Sequence, residues 1–126
     1  MAADAHWQRE PEKHDFVAAS DYLSLVFSER ETRELVKALR TADGTDRKAK
    51  DLLRAARLPL LPAIDPAVAR DLAKVANGEK LSPVLLVRGR AGRDVPLTIA
   101  DGYHRICASY HLTENEEVAC RIVDLP

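Results

Sequence analysis

Cysteine is scarce in this chain of 126 residues, with only Cys107 and Cys120. Two are too few to staple a small secreted domain, so a reducing, cytoplasmic setting is expected. No apolar run approaches the ~20 residues of a membrane-spanning helix, and no membrane contact is expected. The opening Met1-Ala-Ala-Asp-Ala-His-Trp7 lacks a basic segment followed by an apolar one, so no secretory signal is read there. An excess of one charge is missing too: 19 basic and 20 acidic side chains leave a net charge of −1. Attachment to nucleic acid through bulk charge is thereby disfavoured, while a local basic patch stays open. Internal repeats and low-complexity segments are absent.

What the chain does have is an ordinary globular composition, 46% hydrophobic and 31% charged, in a length that suits one domain with a modest core. Residues 1–14 mix charge, Pro11, His6 and His14 without period and read as a loose lead-in with solvent-facing histidines. From Asp15, the spacing of Phe16, Ala19, Tyr22, Leu23, Val26 and Phe27 predicts a helix with one apolar face. Ser28-Glu-Arg-Glu31 fits a capping box that opens a second helix to about Arg40, with Leu35, Val36 and Leu39 inward. Ala42–Thr45 reads as a turn. A third helix is expected from Asp46 to about Ala56, burying Ala49, Leu52, Leu53 and Ala56. Its basic residues Arg47, Lys48, Lys50, Arg54 and Arg57 read first as a solvated face balanced by Asp46 and Asp51. The alternative is a stripe facing an anion or nucleic acid.

Prolines in Leu58–Ile64 rule out a central strand and leave a short edge strand or an extended link. Asp65-Pro66 starts a fourth helix, with Asp as N-cap and Pro in the first helical position. Its buried stripe is Val68, Leu72, Val75 and Ala76, and Asn77-Gly78 ends it. Then the period changes. Pro83–Arg88 and Leu97–Ala100 read as two strands joined through Gly89–Asp94, a hairpin, and Val118–Val123 reads as a closing strand. Helices between strands give an α+β class, a sheet layered against helices.

The chemistry concentrates in Asp101-Gly102-Tyr103-His104-Arg105, between the second strand and a helix running to about Leu112. A helix N-terminus offers unpaired N–H groups and roughly half a positive charge, which suits phosphate. Arg105, His104 and the Tyr103 phenol add donors to the same turn. The plain reading makes Asp101 an N-cap, Gly102 a tight turn and the other three incidental surface residues. His104, Cys107 and His111 share one helix side at zinc-like spacing, with Cys120 the one obvious fourth donor. A buried core face explains the cysteines better, and no metal site is expected from protein ligands alone. Cys107 lies about one turn past the helix start, where the dipole has weakened, which disfavours a thiolate nucleophile.

From about Leu60 to Leu125 the order is extended segment, Asp-Pro helix, Ser-Pro-Val strand, hairpin, Asp-Gly-Tyr-His-Arg turn, helix and strand. This resembles the ParB/sulfiredoxin superfamily, and the turn resembles its Gly-x-[His/Arg]-Arg nucleotide-phosphate loop. The N-terminal helices and the Leu-Pro-Leu-Leu segment are similar to a bacterial ParB-like branch. The resemblance implies a small mixed sheet of about four strands packed against helices, residues 58–126 forming this core. Residues 1–57 would be a helical extension packed on it, the whole a single compact domain. It also implies a bound nucleotide, ATP or CTP with Mg2+, held by Gly102, Tyr103, His104 and Arg105. Tyr103 stands where sulfiredoxins carry their catalytic cysteine, so sulfinic-acid repair is not expected. Where sulfiredoxins use Lys, Ser and Thr of the Asp-Pro helix, this chain has Val68, Asp71 and Val75, leaving Arg70 and Lys74 as candidate contacts. The helix-turn-helix and dimerisation parts of partitioning ParB proteins find no room in this length, which speaks against centromere clamping.

Three expectations follow. The first is a nucleotide-binding protein; if catalytic, it would cleave or transfer a phosphate bond through Asp101, His104 and Arg105, by positioning and charge neutralisation. The second is a non-catalytic module that binds a protein partner through its N-terminal helices, around Tyr22 and Phe27. The third is a DNA-binding or DNA-cleaving variant of the fold.

Overall fold

Val84-Leu85-Leu86-Val87 contains no polar side chain, and all four residues are fully buried. In a strand, successive side chains point to opposite faces, so such a run needs cover on both. The computed structural model, which describes residues 5–126, provides that cover. Val84 and Leu86 pack into one cluster with Leu52, Val68, Ile106 and Cys107. Leu85 and Val87 pack into a second cluster with Phe16, Leu23, Leu35 and Leu39. The result is an α+β sheet with helices on both sides.

Among the described residues there are five α-helices and four strands. In chain order these are α1 (Lys13–Val26), α2 (Glu29–Thr41), β1 (Gly44–Lys48), α3 (Ala49–Ala56), α4 (Pro66–Ala76), β2 (Val84–Val87), β3 (Thr98–Asp101), α5 (Tyr103–Leu112) and β4 (Glu117–Val123). The sheet order is β1-β4-β2-β3. β4 runs parallel to β2, with Val84 opposite Cys120, and the two outer pairs are antiparallel, so the sheet is mixed. Helices α1 and α2 cover one face; α3, α4 and α5 cover the other.

The helix starts follow the local signals. Ser28 Oγ accepts from the Glu31 amide at 3.1 Å while Glu31 Oε1 accepts from the Ser28 amide at 3.0 Å. Asp65 Oδ2 accepts from the amides of Ala67 and Val68, both at 3.1 Å, with Pro66 in the first helical position. Two expectations need correction. The residues read as a turn and the start of a third helix, Gly44 to Lys48, form the edge strand β1, paired with β4 from Gly44–Arg121 to Lys48–Glu117. Its polar sequence hides it, since β1 is exposed along almost its whole length and has no apolar alternation to show. The lead-in is also not loose over its described part. Trp7 is buried and bridges to Leu81, and the Gln8 amide donates to the Leu81 carbonyl at 2.7 Å. Residues 1–4, part of the stretch read for a secretory signal, lie outside the described residues.

Arg121, on β4, is buried among the helices of one face. Its Nη1 donates to the carbonyls of Leu39 at 3.1 Å and Arg40 at 2.9 Å, and its Nη2 pairs with Glu10. The guanidinium thereby takes orphan carbonyls at the end of α2.

Gly102 sets the junction that matters most. It has φ +112°, and a Cβ there would sit 2.4 Å from Val84 Cγ1. Both the left-handed backbone and the contact with a buried core residue exclude a side chain. Gly102→Ala should cost about 2–4 kcal/mol in urea denaturation, from strain and overpacking together. Gly92→Ala, whose Cβ would meet nothing within 4 Å, should cost far less and serves as the control.

Candidate functional site

The turn that the sequence singles out is the place where β3 ends and α5 begins. Its chemistry is dominated by one buried cation. Arg105 Nη1 donates to Asp15 Oδ1 at 3.2 Å and to Ser82 Oγ at 2.8 Å, and Nη2 donates to Asp101 Oδ2 at 3.0 Å. The Arg105 side chain is 14% exposed and Asp15 1%. Asp15 Oδ2 accepts from the Glu12 amide at 2.8 Å, so one carboxylate serves both the start of α1 and the guanidinium. Asp101 is therefore not the N-cap of α5, as the plain reading had it. Gly102 holds the cap position, no side chain among the described residues caps the helix, and the Asp101 carboxylate is turned toward Arg105 four residues on.

Two carboxylates on one guanidinium do not titrate alike. Burial raises the Asp101 carboxyl most, the Arg105 charge lowers it, and the neighbouring Asp15 raises it again; the outcome is a shift from 3.8 to about 6. For Asp15, burial also raises, but the Ser82 hydrogen bond, the Arg105 charge and the Glu12 amide outweigh it and hold the carboxyl below its usual value.

The other expected residues lie around this core. His104 is exposed, and its Nε2 is 4.0 Å from Asp65 Oδ2, which brings the starts of α4 and α5 together. Tyr103 is half-buried; its hydroxyl donates to the Pro59 carbonyl and its ring lies 5.6 Å from that of His104. His111 Nε2 is 2.7 Å from the Leu61 carbonyl. The proline-rich segment is thus an extended link pinned to α5, not an edge strand. Arg70 and Lys74 are exposed on α4. Asp71, between them, is raised by burial, against the opposing charges of Arg105, Lys74, His104 and Arg70. The candidate contacts of both helices therefore surround one carboxylate.

His104, Cys107 and His111 do not converge. Among the described residues no group of three His, Cys, Asp or Glu side chains is placed to hold a metal ion. Burial pushes both thiols up, Cys120 to about 12, so neither is a thiolate near neutral pH. Sequence reasoning missed Asp15 and Ser82. The Asp101–Arg105 pair is four residues apart and spans the junction from β3 into α5, a short spacing that could have signalled it. Asp15 is 90 residues from Arg105 and Ser82 is 23 away, and no local pattern links them.

Compared with protein-family models, curated proteins and solved structures, the chain matches none of them.

The network makes the protein's stability depend on pH in a definite direction. The folded Asp101 binds its proton more tightly than the unfolded one, so its contribution to stability falls as pH rises from about 4 to about 6. Asp15 works the other way, but only below about pH 4, because its shift is downward. Against Asp101→Asn, the wild type should lose roughly 2–3 kcal/mol across the pH 4–6 window, read from denaturation curves. A stability difference that is flat with pH would contradict the assignment. Arg105→Ala leaves both carboxylates without their cation and should cost about 3–5 kcal/mol, while His104→Ala should leave the melt nearly unchanged.

Proposed function

We propose that the chain binds the phosphates of a nucleotide at the start of α5, as a ParB-like protein would. The observation that carries this reading is the state of the helix starts. Helices α1 and α2 have capping boxes, and α4 has the Asp65 carboxylate. The first two amides of α3 donate to the carbonyls of Glu116 and Glu114. At α5, among the described residues, no side chain and no loop carbonyl takes the first N–H groups. An anion is the natural complement of such an end.

In this reading the amides of Tyr103 and His104, the His104 ring, and Arg70 and Lys74 of α4 contact the phosphates. Arg105 acts by position: its guanidinium is committed to Asp15, Ser82 and Asp101 and fixes the angle at which the turn leaves β3. The donor set fits a nucleotide with a divalent cation better than a bare one. Asp65 and Asp71 bring negative charge to the same side, and Mg2+ is commonly held by one or two carboxylates together with substrate phosphates. When bound, the cation supplies charge neutralisation for phosphate cleavage or transfer. Of the carboxylates, Asp101 has the pKa best suited to accept a proton, at about 6.

A second reading is favoured by a different observation. Val17, Tyr22, Leu25 and Val26 of α1 are 59%, 44%, 81% and 54% exposed, although Tyr22 and Val26 were expected inward. The inner face of α1 is narrower than the periodicity implied: Phe16, Ala19 and Leu23 fill it and Phe27 is half-buried. An apolar outer face of this kind suits a protein partner.

Calorimetry decides between them. ATP or CTP with Mg2+ should bind, and His104→Ala with Lys74→Ala should weaken binding at least about tenfold at an unchanged melting temperature. Equal affinity in the double variant removes the nucleotide reading. No heat with either nucleotide, together with an oligomer that Leu25→Glu dissolves, establishes the second.

A further inference from the structure

A second basic site lies at the other end of the β2–β3 hairpin, away from the α5 turn. There a cleft of about 480 Å³ opens between β1, α3 and the segment that joins β2 to β3. Five arginines line it: Arg47 from β1, Arg54 and Arg57 from α3 and its end, and Arg88 and Arg90 from the hairpin. Three have carboxylate partners, Arg54 with Asp51 at 3.3 Å, Arg57 with Asp94 at 2.7 Å and Arg88 with Asp124 at 3.1 Å. Among the described residues Arg47 and Arg90 make no ion pair. Five cations against three anions leave an excess of two positive charges, in a chain whose net charge is −1. The floor is apolar, from Leu52, Val95, Leu97 and Ile122. The basic stripe read as a solvated face of the third helix is thus gathered, in part, around a concavity with two further arginines.

The backbone adds an independent observation. Outside glycine, the positive-φ residues among those described are Arg57 at φ 58° and Asp94 at φ 57°, and these two form an ion pair of which Arg57 lines the cleft. Arg57 holds the helix-ending position where glycine is the low-strain choice. Strained residues of this kind collect at ligand clamps. Gly89, in the cleft wall, approaches the opposite chain so closely that a Cβ would lie 2.5 Å from the Val95 carbonyl oxygen, which makes the wall close-packed.

We propose that this cleft binds a small phosphate monoester with an apolar body. The excess of two charges matches a phosphate group, which carries about −1.5 to −2 near neutral pH. Arginine is the side chain best shaped for it, since its planar fork engages phosphate oxygens in pairs. The volume is that of a small-molecule pocket, within the usual range of about 300–1,000 Å³. A nucleic acid strand fits less well: no aromatic side chain lines the cleft to stack on a base, and the chain lacks the net positive charge that such binders carry.

The probe is 1-naphthyl phosphate, titrated into the whole chain by fluorescence and calorimetry. Saturable one-to-one binding is expected, tighter than for inorganic phosphate because the floor takes the ring. Arg47→Ala with Arg90→Ala should weaken it at least about tenfold at an unchanged melting temperature, as both side chains are exposed and, among the described residues, make no ion pair. Ala55→Glu, which adds a negative charge at the exposed rim, should do the same if the arginine variant folds poorly. His104→Ala with Lys74→Ala should leave this affinity intact, which separates the cleft from the α5 turn. Absence of saturable binding, or equal affinity in the arginine variant and in Ala55→Glu, overturns the proposal. So does binding of a single-stranded oligonucleotide that weakens steeply with salt and that the probe does not displace.

Discussion

The guanidinium of Arg105 is the constraint around which the rest of the molecule is arranged. A buried cation is tolerated only when its charge is compensated, because removal from water costs several kcal/mol for each ion. Holding it here takes two groups from far along the chain, Asp15 on α1 and Ser82 just before β2, and one close by, Asp101 at the end of β3. Helix α1 covers one face of the sheet and α5 the other. The arginine therefore ties the two helical layers to each other beside the edge strand β3. A non-directional apolar core sets which faces meet; a three-partner guanidinium sets the angle.

That arrangement has a chemical consequence. Two carboxylates on one cation settle unequally, Asp15 below the usual carboxylate range and Asp101 at about 6. The difference follows from their partners, since Asp15 has the Ser82 hydroxyl and the Glu12 amide besides Arg105, whereas Asp101 has Arg105 and faces the Asp15 charge. Asp101, a partner of the arginine that anchors the turn, is thus the residue whose protonation changes at about pH 6. Arg105 is at once structural and electrostatic, and a role in contacting ligand phosphates directly would require it to release partners it holds at 2.8–3.2 Å.

The sequence was most legible where a feature is local. The α+β class, the Asp65-Pro66 and Ser28 helix starts, the hairpin and the strand-to-helix junction at Gly102 all rest on neighbours within a few residues, and they are where the chain puts them. β1 was hidden because an exposed edge strand made of Gly-Thr-Asp-Arg-Lys carries no apolar alternation; its identity comes from pairing with β4, 69 to 77 residues along the chain. The outward turn of Tyr22 and Val26 was hidden because periodicity marks an apolar sector but not how wide a sector the neighbours cover. In the candidate site, the turn itself could be read, and Asp15 and Ser82 could not, since an ion pair across the fold leaves no spacing to recognise.

The hairpin of β2 and β3 explains how one small sheet holds two charged sites without letting them merge. At one end Gly102 lets the chain turn against Val84, and at the other Gly89 lets the two arms close on each other at Val95–Leu97. Between them run the buried residues Val84–Val87, with Ile99 and Ala100 on the partner strand, an apolar spacer that admits no charge. Charge must then collect at the ends. At the α5 end the cation is compensated, with Arg105 held by two carboxylates. At the cleft end five arginines meet three aspartates. An uncompensated excess at a concave, apolar-floored place is the less stable arrangement for an isolated protein, and the more useful one for a protein that receives an anion there.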